Sequence, residues 1–315
     1  MKPSGKYIVT LAVLLLAVLA AGGYLTRPRP QAQAVQVYLA PLNTRPDSYL
    51  GVTEVMEKAA YRPIMTFAWT VGRKPNIVLT YSGWNEGIPL GLAGQAHAHG
   101  AMLLDQINPG HVPMAAIAAG KYDTFLKSFA DQVRGFGYRV ILSFAGEMNG
   151  DWDPWGYHHT RPAVWIAAWR HVVTVFRSQH ASNVVWLWTV NRHGPTTGPI
   201  HLWWPGRNYV TWVGIDGYYF LKTDTFTSCF GKSLAAVRNL TRKPVLLAEV
   251  GIGQVADQAS KIPGLFEGIK QHQLLGVVWF DQAQHGSLYK QDWRLEGHPK
   301  AISAFRRGLR LIGYR

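Results

Sequence analysis

Two carboxylates follow apolar segments that have the composition of buried strands. Glu147 comes after ILSFAG (141–146), and Glu249 comes after VLLA (245–248). Ionisation beside buried apolar residues is penalised unless the carboxylate has a partner or a task. Two carboxyl groups held roughly 5–5.5 Å apart can hydrolyse a glycosidic bond by double displacement, one protonating the leaving oxygen and the other attacking the anomeric carbon. We therefore predict that Glu147 and Glu249 form a catalytic pair.

Tryptophan is abundant, with 13 residues in a chain of 315. Its flat face stacks on sugar rings and on bases. Four tryptophans fall in predicted loops, where they are candidate sugar platforms: Trp84, Trp155, Trp203 and Trp204. Four others lie at helix or strand spacing and are predicted to pack in the core: Trp165, Trp169, Trp186 and Trp188.

Charge and cysteine content argue against a nucleic-acid-binding protein, a disulfide-rich protein and a cysteine-based metalloprotein. The chain has 32 Lys and Arg against 18 Asp and Glu, a net charge of +14, but its basic residues are scattered. This favours a well-mixed basic surface over a nucleic-acid site. The single cysteine, Cys229, excludes a disulfide framework and a cysteine-based metal centre, and it is predicted to be a passive side chain in a polar loop. The pairs His97/His99 and His158/His159 lack a third ligand at a recognisable spacing, so no metal is predicted.

The N-terminus has the composition of a signal peptide or a membrane anchor. Lys2 and Lys6 precede twenty uncharged residues (7–26), enough to span a bilayer core of roughly 30 Å. The length favours an uncleaved anchor, whereas Ala32–Ala34 offers a cleavage site for a secreted form. We predict an exported protein, either anchored on the extracellular side or secreted. Its predicted parts are a signal or anchor (1–27), a Pro-rich linker (28–44) and a catalytic domain (45–315).

Beyond the linker, short apolar runs alternate with helical segments, which is typical of βα units. Four helices are predicted over 122–136, 162–179, 260–272 and 299–309. Eight strands in about 270 residues predict a (β/α)8 TIM barrel. A doubly wound open sheet is the alternative, but no Gly-rich phosphate turn follows the first strand. The predicted strands are 49–53, 76–82, 101–106, 139–145, 183–189, 212–216, 244–249 and 275–280.

Position along these elements supports the carboxylate pair. Glu147 follows the fourth strand and Glu249 ends the seventh, and in a TIM barrel the chemistry lies at the carboxyl ends of the strands. Strands four and seven lie across the mouth from one another. The prediction is therefore that both carboxyl groups face one central site.

Several segments carry a family resemblance. The block ILSFAGEMNGDWDPWG (141–156) resembles the acid/base segment of glycoside hydrolase family 26, the β-mannanase family among the clan A barrels. Similar likenesses extend over 168–191, 204–220, 243–251 and 292–305. The resemblance implies a TIM barrel in which Glu147 is the general acid/base and Glu249 the nucleophile.

Further roles are implied by the same resemblance. Trp152 would line the site next to the cleavage point. Asp216 and Tyr218 would support the nucleophile, the Tyr218 hydroxyl by hydrogen bonding to it, and Trp279 would be the platform beneath the reacting sugar. Asn149 is predicted to bind substrate. Asn191, after strand five, either touches substrate or caps a turn.

One position departs from the family pattern. Gly146 stands where the family usually has His, before the acid/base. Trp84, Asn85 or His97 would have to replace that side chain, and the preference for mannose is therefore open.

The sequence as a whole predicts a retaining hydrolase of a β-linked polysaccharide that resembles an endo-β-mannanase. The enzyme is predicted to be monomeric and to need no cofactor. The alternative is a non-hydrolytic polysaccharide-binding or transglycosylating barrel acting on exported surface glycan. The glycan, its linkage and endo or exo action stay open.

Overall fold

Eight parallel strands form the centre of the molecule in a computed structural model that describes residues 39, 41–53, 61–283 and 291–314. Each strand pairs with the next and the last pairs with the first, so the sheet closes. The predicted TIM barrel is confirmed, and the open doubly wound sheet is excluded. The strands are β1 (Tyr49–Thr53), β2 (Ile77–Gly83), β3 (Met102–Asn108), β4 (Val140–Phe144), β5 (Val184–Asn191), β6 (Trp212–Tyr219), β7 (Val245–Ile252) and β8 (Gly276–Phe280).

Helices surround the barrel and connect the strands. The four predicted helices are confirmed as α4, α5, α7 and α8, and four others were not predicted. Pro63, Pro162 and Pro299 each lie in the first turn of a helix, where a missing N–H has no cost. The helices are α1 (Arg62–Val71), α2 (Leu90–Ala98), α3 (Met114–Ala118), α4 (Asp123–Phe136), α5 (Pro162–Ser178), α6 (Lys232–Leu240), α7 (Gln258–Gln271) and α8 (Pro299–Leu311).

The strands bury both of their faces, as parallel strands covered by helices do. Alternate residues of each strand fill the barrel interior, among them Ile77, Leu104 and Leu246. The intervening residues pack outward against the helices in a larger core. The tryptophans predicted to pack do so in this outer layer: Trp165, Trp169, Trp186 and Trp188. Each large side chain buried there contributes roughly 1.5–3 kcal/mol.

Two further predictions concern the surroundings of Cys229 and the membrane segment near the N-terminus. Cys229 is not in a polar loop: it is buried in the turn that precedes α6, and its thiol approaches the backbone oxygen of Tyr218 at 3.7 Å. The predicted membrane segment, 7–26, lies outside the described residues. Among the helices of the described part, none is long and apolar enough to cross a membrane.

Candidate active site

A bulge in β7 aims Glu249 at the mouth of the barrel. Leu246 and Ala248 both point into the barrel, so strict alternation would turn Glu249 outward to the helices. The pairing with β6 instead steps from Leu247 to Glu249, which inserts one extra residue in β7. A bulge of this kind re-aims the side chain that follows it. Glu249 consequently lies in the central cavity.

The turn after β4 positions Glu147. Ala145 and Glu147 both adopt positive φ values, 46° and 54°, a conformation that costs energy for residues other than glycine. Two tryptophan indoles hold this backbone in place. Trp165 donates to the Ala145 oxygen at 3.2 Å, and Trp155 donates to the Gly146 oxygen at 2.8 Å. The surrounding packing therefore fixes the strained turn that carries Glu147.

Glu147 and Glu249 line one cavity of about 610 Å³ at the carboxyl ends of the strands. A smaller cavity of about 280 Å³ adjoins it and shares Glu147, Glu249 and Trp152. The carboxylate pair thus lines both spaces. Aromatic side chains wall the larger space: Trp152, Tyr218, Phe220 and Trp293.

Three donors hold the carboxylate of Glu249. The Tyr218 hydroxyl donates to Oε2 at 2.5 Å, the Tyr81 hydroxyl to Oε1 at 2.6 Å, and the Gln106 amide to Oε1 at 2.9 Å. Burial raises the pKa of Glu249, and the three hydrogen bonds act against that rise because they favour the ionised form. The burial that raises the pKa of Tyr218 keeps its hydroxyl protonated as a donor.

Glu147 has a different environment. Burial, followed by repulsion from Glu249, raises its pKa to about 8. Donors from Asn191, to Oε1, and from Trp152, to Oε2 at 3.1 Å, act against this rise. A carboxyl group with this pKa is protonated at neutral pH. The site therefore pairs a carboxylic acid with a carboxylate held by three donors, which is the inequality that acid-assisted displacement at a glycosidic bond needs.

Asp216 lies beside the pair and is fully buried. It is aligned with Glu249 on the neighbouring strand. Burial raises its pKa well above the usual range, and the charges of Glu249 and Glu147 raise it further. These effects favour a neutral Asp216, which adds no second negative charge next to Glu249.

Three predicted substrate contacts are wrong. Trp279 is fully buried, because it belongs to the outward-facing residues of β8: its ring packs on Phe305 and its indole donates to the Trp293 oxygen at 3.0 Å. Asn149 is also fully buried. Its amide bonds the backbone oxygen of Asn191 at 2.9 Å and accepts from the Asn191 N–H at 2.8 Å, so it supports a neighbour of Glu147.

Trp84 is the third correction. Its ring packs between Tyr122, Phe125 and Phe144. It therefore neither serves as a sugar platform nor fills the space beside Gly146. Of the other candidate platforms, Trp203 and Trp204 pack on Trp165 and Trp188, whereas Trp155 lines the smaller cavity.

Four residues of the site were missed or left open by the sequence. Tyr81 and Gln106 lie near the ends of β2 and β3, at positions that continue the inward-facing series of Leu79 and Leu104. A polar side chain that continues the inward-facing apolar series toward the carboxyl end of a strand is the signal that could have identified them. The Asn191 side chain donates to Glu147, a contact that neither of its two predicted roles describes. Trp293 packs on Tyr218, with ring centroids 5.0 Å apart.

The histidine pairs make ring contacts. His97 stacks on Tyr138, His99 on Tyr61 and His158 on Tyr157. Within the described ranges, His, Cys, Asp and Glu side chains form no group of three that could hold a metal ion.

Comparison with known proteins adds a family match. A model described as Glycosyl hydrolase family 26 matches residues 124–306. The chain is 27% identical over 263 residues to Endoglucanase H of Acetivibrio thermocellus, a match that covers 78% of this chain and 29% of the relative. It is 27% identical over 150 residues to Mannan endo-1,4-beta-mannosidase A and B of Caldalkalibacillus mannanilyticus, covering 45% of this chain and 27% of the relative. The chain thus spans less than a third of each of these relatives.

The fold has counterparts among solved structures. A GH26 beta-mannanase from Bacteroides ovatus superposes with a TM-score of 0.61 at 14% identity, over 85% of this chain and 90% of that one. At this identity the likeness bears on the fold alone, and it agrees with the closed barrel described above.

Proposed function

The chain belongs to glycosyl hydrolase family 26, and from that premise we propose that it hydrolyses a β-linked polysaccharide with retention of configuration. The observation that carries the proposal is the unequal carboxyl pair in one cavity. Glu249 accepts three hydrogen bonds, whereas the pKa of Glu147 is raised to about 8. One group is thereby prepared to attack and the other to donate a proton.

In the first step, a Glu249 oxygen bonds to the anomeric carbon. The bond from that carbon to the glycosidic oxygen breaks, and the proton of Glu147 passes to the departing oxygen. The products of this step are a glycosyl ester on Glu249 and an ionised Glu147. The donors from Tyr218, Tyr81 and Gln106 orient the attacking carboxylate.

In the second step, water attacks the anomeric carbon of the glycosyl ester and displaces Glu249. Ester formation removes the negative charge of Glu249, which is one cause of the raised pKa of Glu147. The pKa of Glu147 therefore falls, and its carboxylate takes a proton from the attacking water. The ester bond breaks, the configuration is retained after two inversions, and both groups return to their starting states.

For the substrate we propose a β-1,4-mannan or a closely related β-glycan, cleaved within the chain. Two adjoining cavities support internal cleavage, because the carboxylate pair lines both and a glycan chain could extend into each. Gly146 is the observation against mannan, since the family's usual His is absent there. A β-glucan is the second candidate, favoured by this departure together with the extent of the match to Endoglucanase H.

The location we propose is outside the cytoplasmic membrane, with the predicted segment 7–26 holding a monomeric enzyme at the membrane. Polysaccharide is then the partner of the site, with no nucleic acid and no cofactor involved. Fractionation of cells checks the location: an N-terminal segment that remains attached leaves the full-length chain with membranes after an alkaline wash.

The test of the function uses purified protein and a panel of β-mannan, mixed-linkage β-glucan and xylan. We expect new reducing ends whose initial anomer matches that of the substrate. Glu147→Gln and Glu249→Gln are each expected to lower turnover at least 1000-fold, whereas Gln95→Ala, a half-buried position on α2, should leave it unchanged. Turnover retained by either Glu variant would contradict the mechanism. Binding without cleavage would favour a non-hydrolytic barrel, and longer products would favour transglycosylation.

A further inference from the structure

The face of the barrel opposite the candidate site is strongly basic. Helices of a TIM barrel end at the face where the strands begin, away from the carboxyl ends of the strands. Five of these helices have a basic residue in the last turn: Arg134, Arg177, Arg238, Lys270 and Arg310. Such cations also stabilise the carbonyl end of a helix, so by themselves they have a structural explanation.

The loops that lead into the strands carry further cations, outside the last turns of the helices: Arg73, Lys74, Arg139, Arg207, Arg242 and Lys243. Of these, Arg73 donates to the backbone oxygens of Gly72 and Tyr314, beside the ends of α1 and α8. In the described segments that precede the strands, the acidic residue is Asp47, which Arg45 offsets. We call these six loop cations and the five helix-end cations the basic face.

The opposite end has no such excess. The described loops that follow the strands hold nine acidic and five basic residues, with Glu147 among the acidic ones. The charges of the described residues are therefore distributed unevenly along the barrel axis. A scattered sequence of basic residues becomes one cationic surface because eight strands begin at the same face.

The basic face is concave beside the starts of β6 and β7. A cavity of about 620 Å³ is lined by Arg207, Arg238, Arg242 and Lys243. Among the described residues, no carboxylate forms an ion pair with any of these four. Burial and then the charge of Arg207 lower the pKa of Lys243. Cations gathered without a counter-charge leave a place where an anion would be stabilised.

The chain enters the barrel at this same face. The Asp47 and Ser48 amides bond the oxygens of Leu274 and Leu275, next to the start of β1. The predicted Pro-rich linker, 28–44, ends there and connects to the predicted membrane segment. A protein held by that segment would thus be tethered on its basic side.

We propose that the basic face docks on the anionic phospholipid headgroups of the membrane. The docked orientation directs the mouth with Glu147 and Glu249 away from the bilayer, toward polysaccharide outside it. The proposal rests on the proposed membrane attachment and is independent of hydrolysis. Each Lys or Arg close to an anionic surface strengthens docking about fivefold, and the attraction falls off within a Debye length.

The experiment uses the full chain reconstituted in lipid nanodiscs. One set contains phosphatidylcholine alone, and the other includes about 30% phosphatidylglycerol. Amide hydrogen exchange is compared between residues 239–245 on the basic face and 151–160 beside the site. We expect slower exchange over 239–245 in the anionic discs only, and loss of the difference in 1 M NaCl, where the Debye length is about 3 Å.

Two matched variants assign the effect to this face. Arg207→Glu with Arg242→Glu should weaken docking at least 25-fold and abolish the difference, at about fivefold for each cation removed. Lys222→Glu with Lys232→Glu changes the net charge equally on the opposite side and should preserve the difference. Thermal unfolding of each variant checks that it is folded.

Several results would overturn the proposal. Equal exchange in the two disc types, or equal loss of protection in both double variants, excludes docking through the basic face. Protection by soluble polyphosphate in neutral discs, with none from phosphatidylglycerol, assigns the face to a polymer. A chain that remains in neither disc type refutes the membrane attachment itself, and docking fails with it, while the hydrolase proposal is unaffected.

Discussion

Replacement of Trp152 by Phe should extend activity to higher pH. The Trp152 indole donates to Glu147 Oε2 at 3.1 Å and stabilises the ionised carboxylate, so it lowers the pKa of Glu147. Phe keeps an aromatic face but has no donor. The pKa of Glu147 then rises, and the proton that the first step needs is retained at higher pH.

The size of this effect can be estimated. Hydrogen bonds to charged groups contribute roughly 1.5–3 kcal/mol, but Trp152 is 45% exposed, so we take about 1 kcal/mol, or fivefold in the ionisation constant. With the pKa of Glu147 at about 8, about a tenth of the free enzyme is protonated at pH 9. A fivefold change raises this to about a third. The ratio of kcat/KM at pH 9 to that at pH 7 should therefore increase about threefold.

The assay is kcat/KM against pH from 5 to 10 on the best glycan of the panel, because this quantity reports ionisation of the free enzyme. Because kcat/KM is compared between pH values within each variant, any effect of lost sugar stacking cancels in the ratio. Phe220→Leu is the control, since it alters the aromatic wall without touching Glu147. An alkaline limb of Trp152→Phe at the same or lower pH would refute the assignment of that limb to Glu147.

Three further predictions concern other residues. Tyr81→Phe removes a donor from Glu249 and raises its pKa, so kcat/KM on the acid side of the profile should fall about tenfold, whereas Tyr157→Phe should not change it. Asn149→Ala leaves the Asn191 backbone unpaired and should lower the free energy of unfolding by about 2–4 kcal/mol, measured in urea against the exposed Asn239→Ala. Gly146→His should fold, because a Cβ there would lie 3.4 Å from Ser143 Oγ and 3.5 Å from Thr189 Cβ, which are ordinary contacts. An added hydrogen bond from the His side chain to substrate should raise the ratio of mannan to glucan cleavage about fivefold. An unchanged ratio would show that residue 146 does not set the specificity.

The alternation of strands and helices was readable because parallel strands leave continuous apolar runs between helical segments. The same runs made the ends of β4 and β7 visible, and with them Glu147 and Glu249. Helices with weak patterns escaped prediction, α2 among them, since it is rich in Ala and Gly and has no clear polar face.

The direction in which a strand residue points could not be predicted from the sequence. Every residue of β4 and β7 is buried, so composition does not distinguish the interior face from the helix face. The family resemblance implies a sugar platform at Trp279, although its side chain points outward, and Asn149 is predicted to bind substrate, although its amide holds Asn191.

Local composition and spacing are enough to predict the βα order, the excess of basic residues and the two carboxylates at strand ends. The environment of the two carboxylates depends instead on long-range contacts. Closure of the barrel brings Tyr81 and Gln106 across to Glu249, the bulge in β7 turns Glu249 into the cavity, and the common origin of the strands collects scattered cations into one face. These are relations between residues far apart in the chain, and they arise only when the sheet closes.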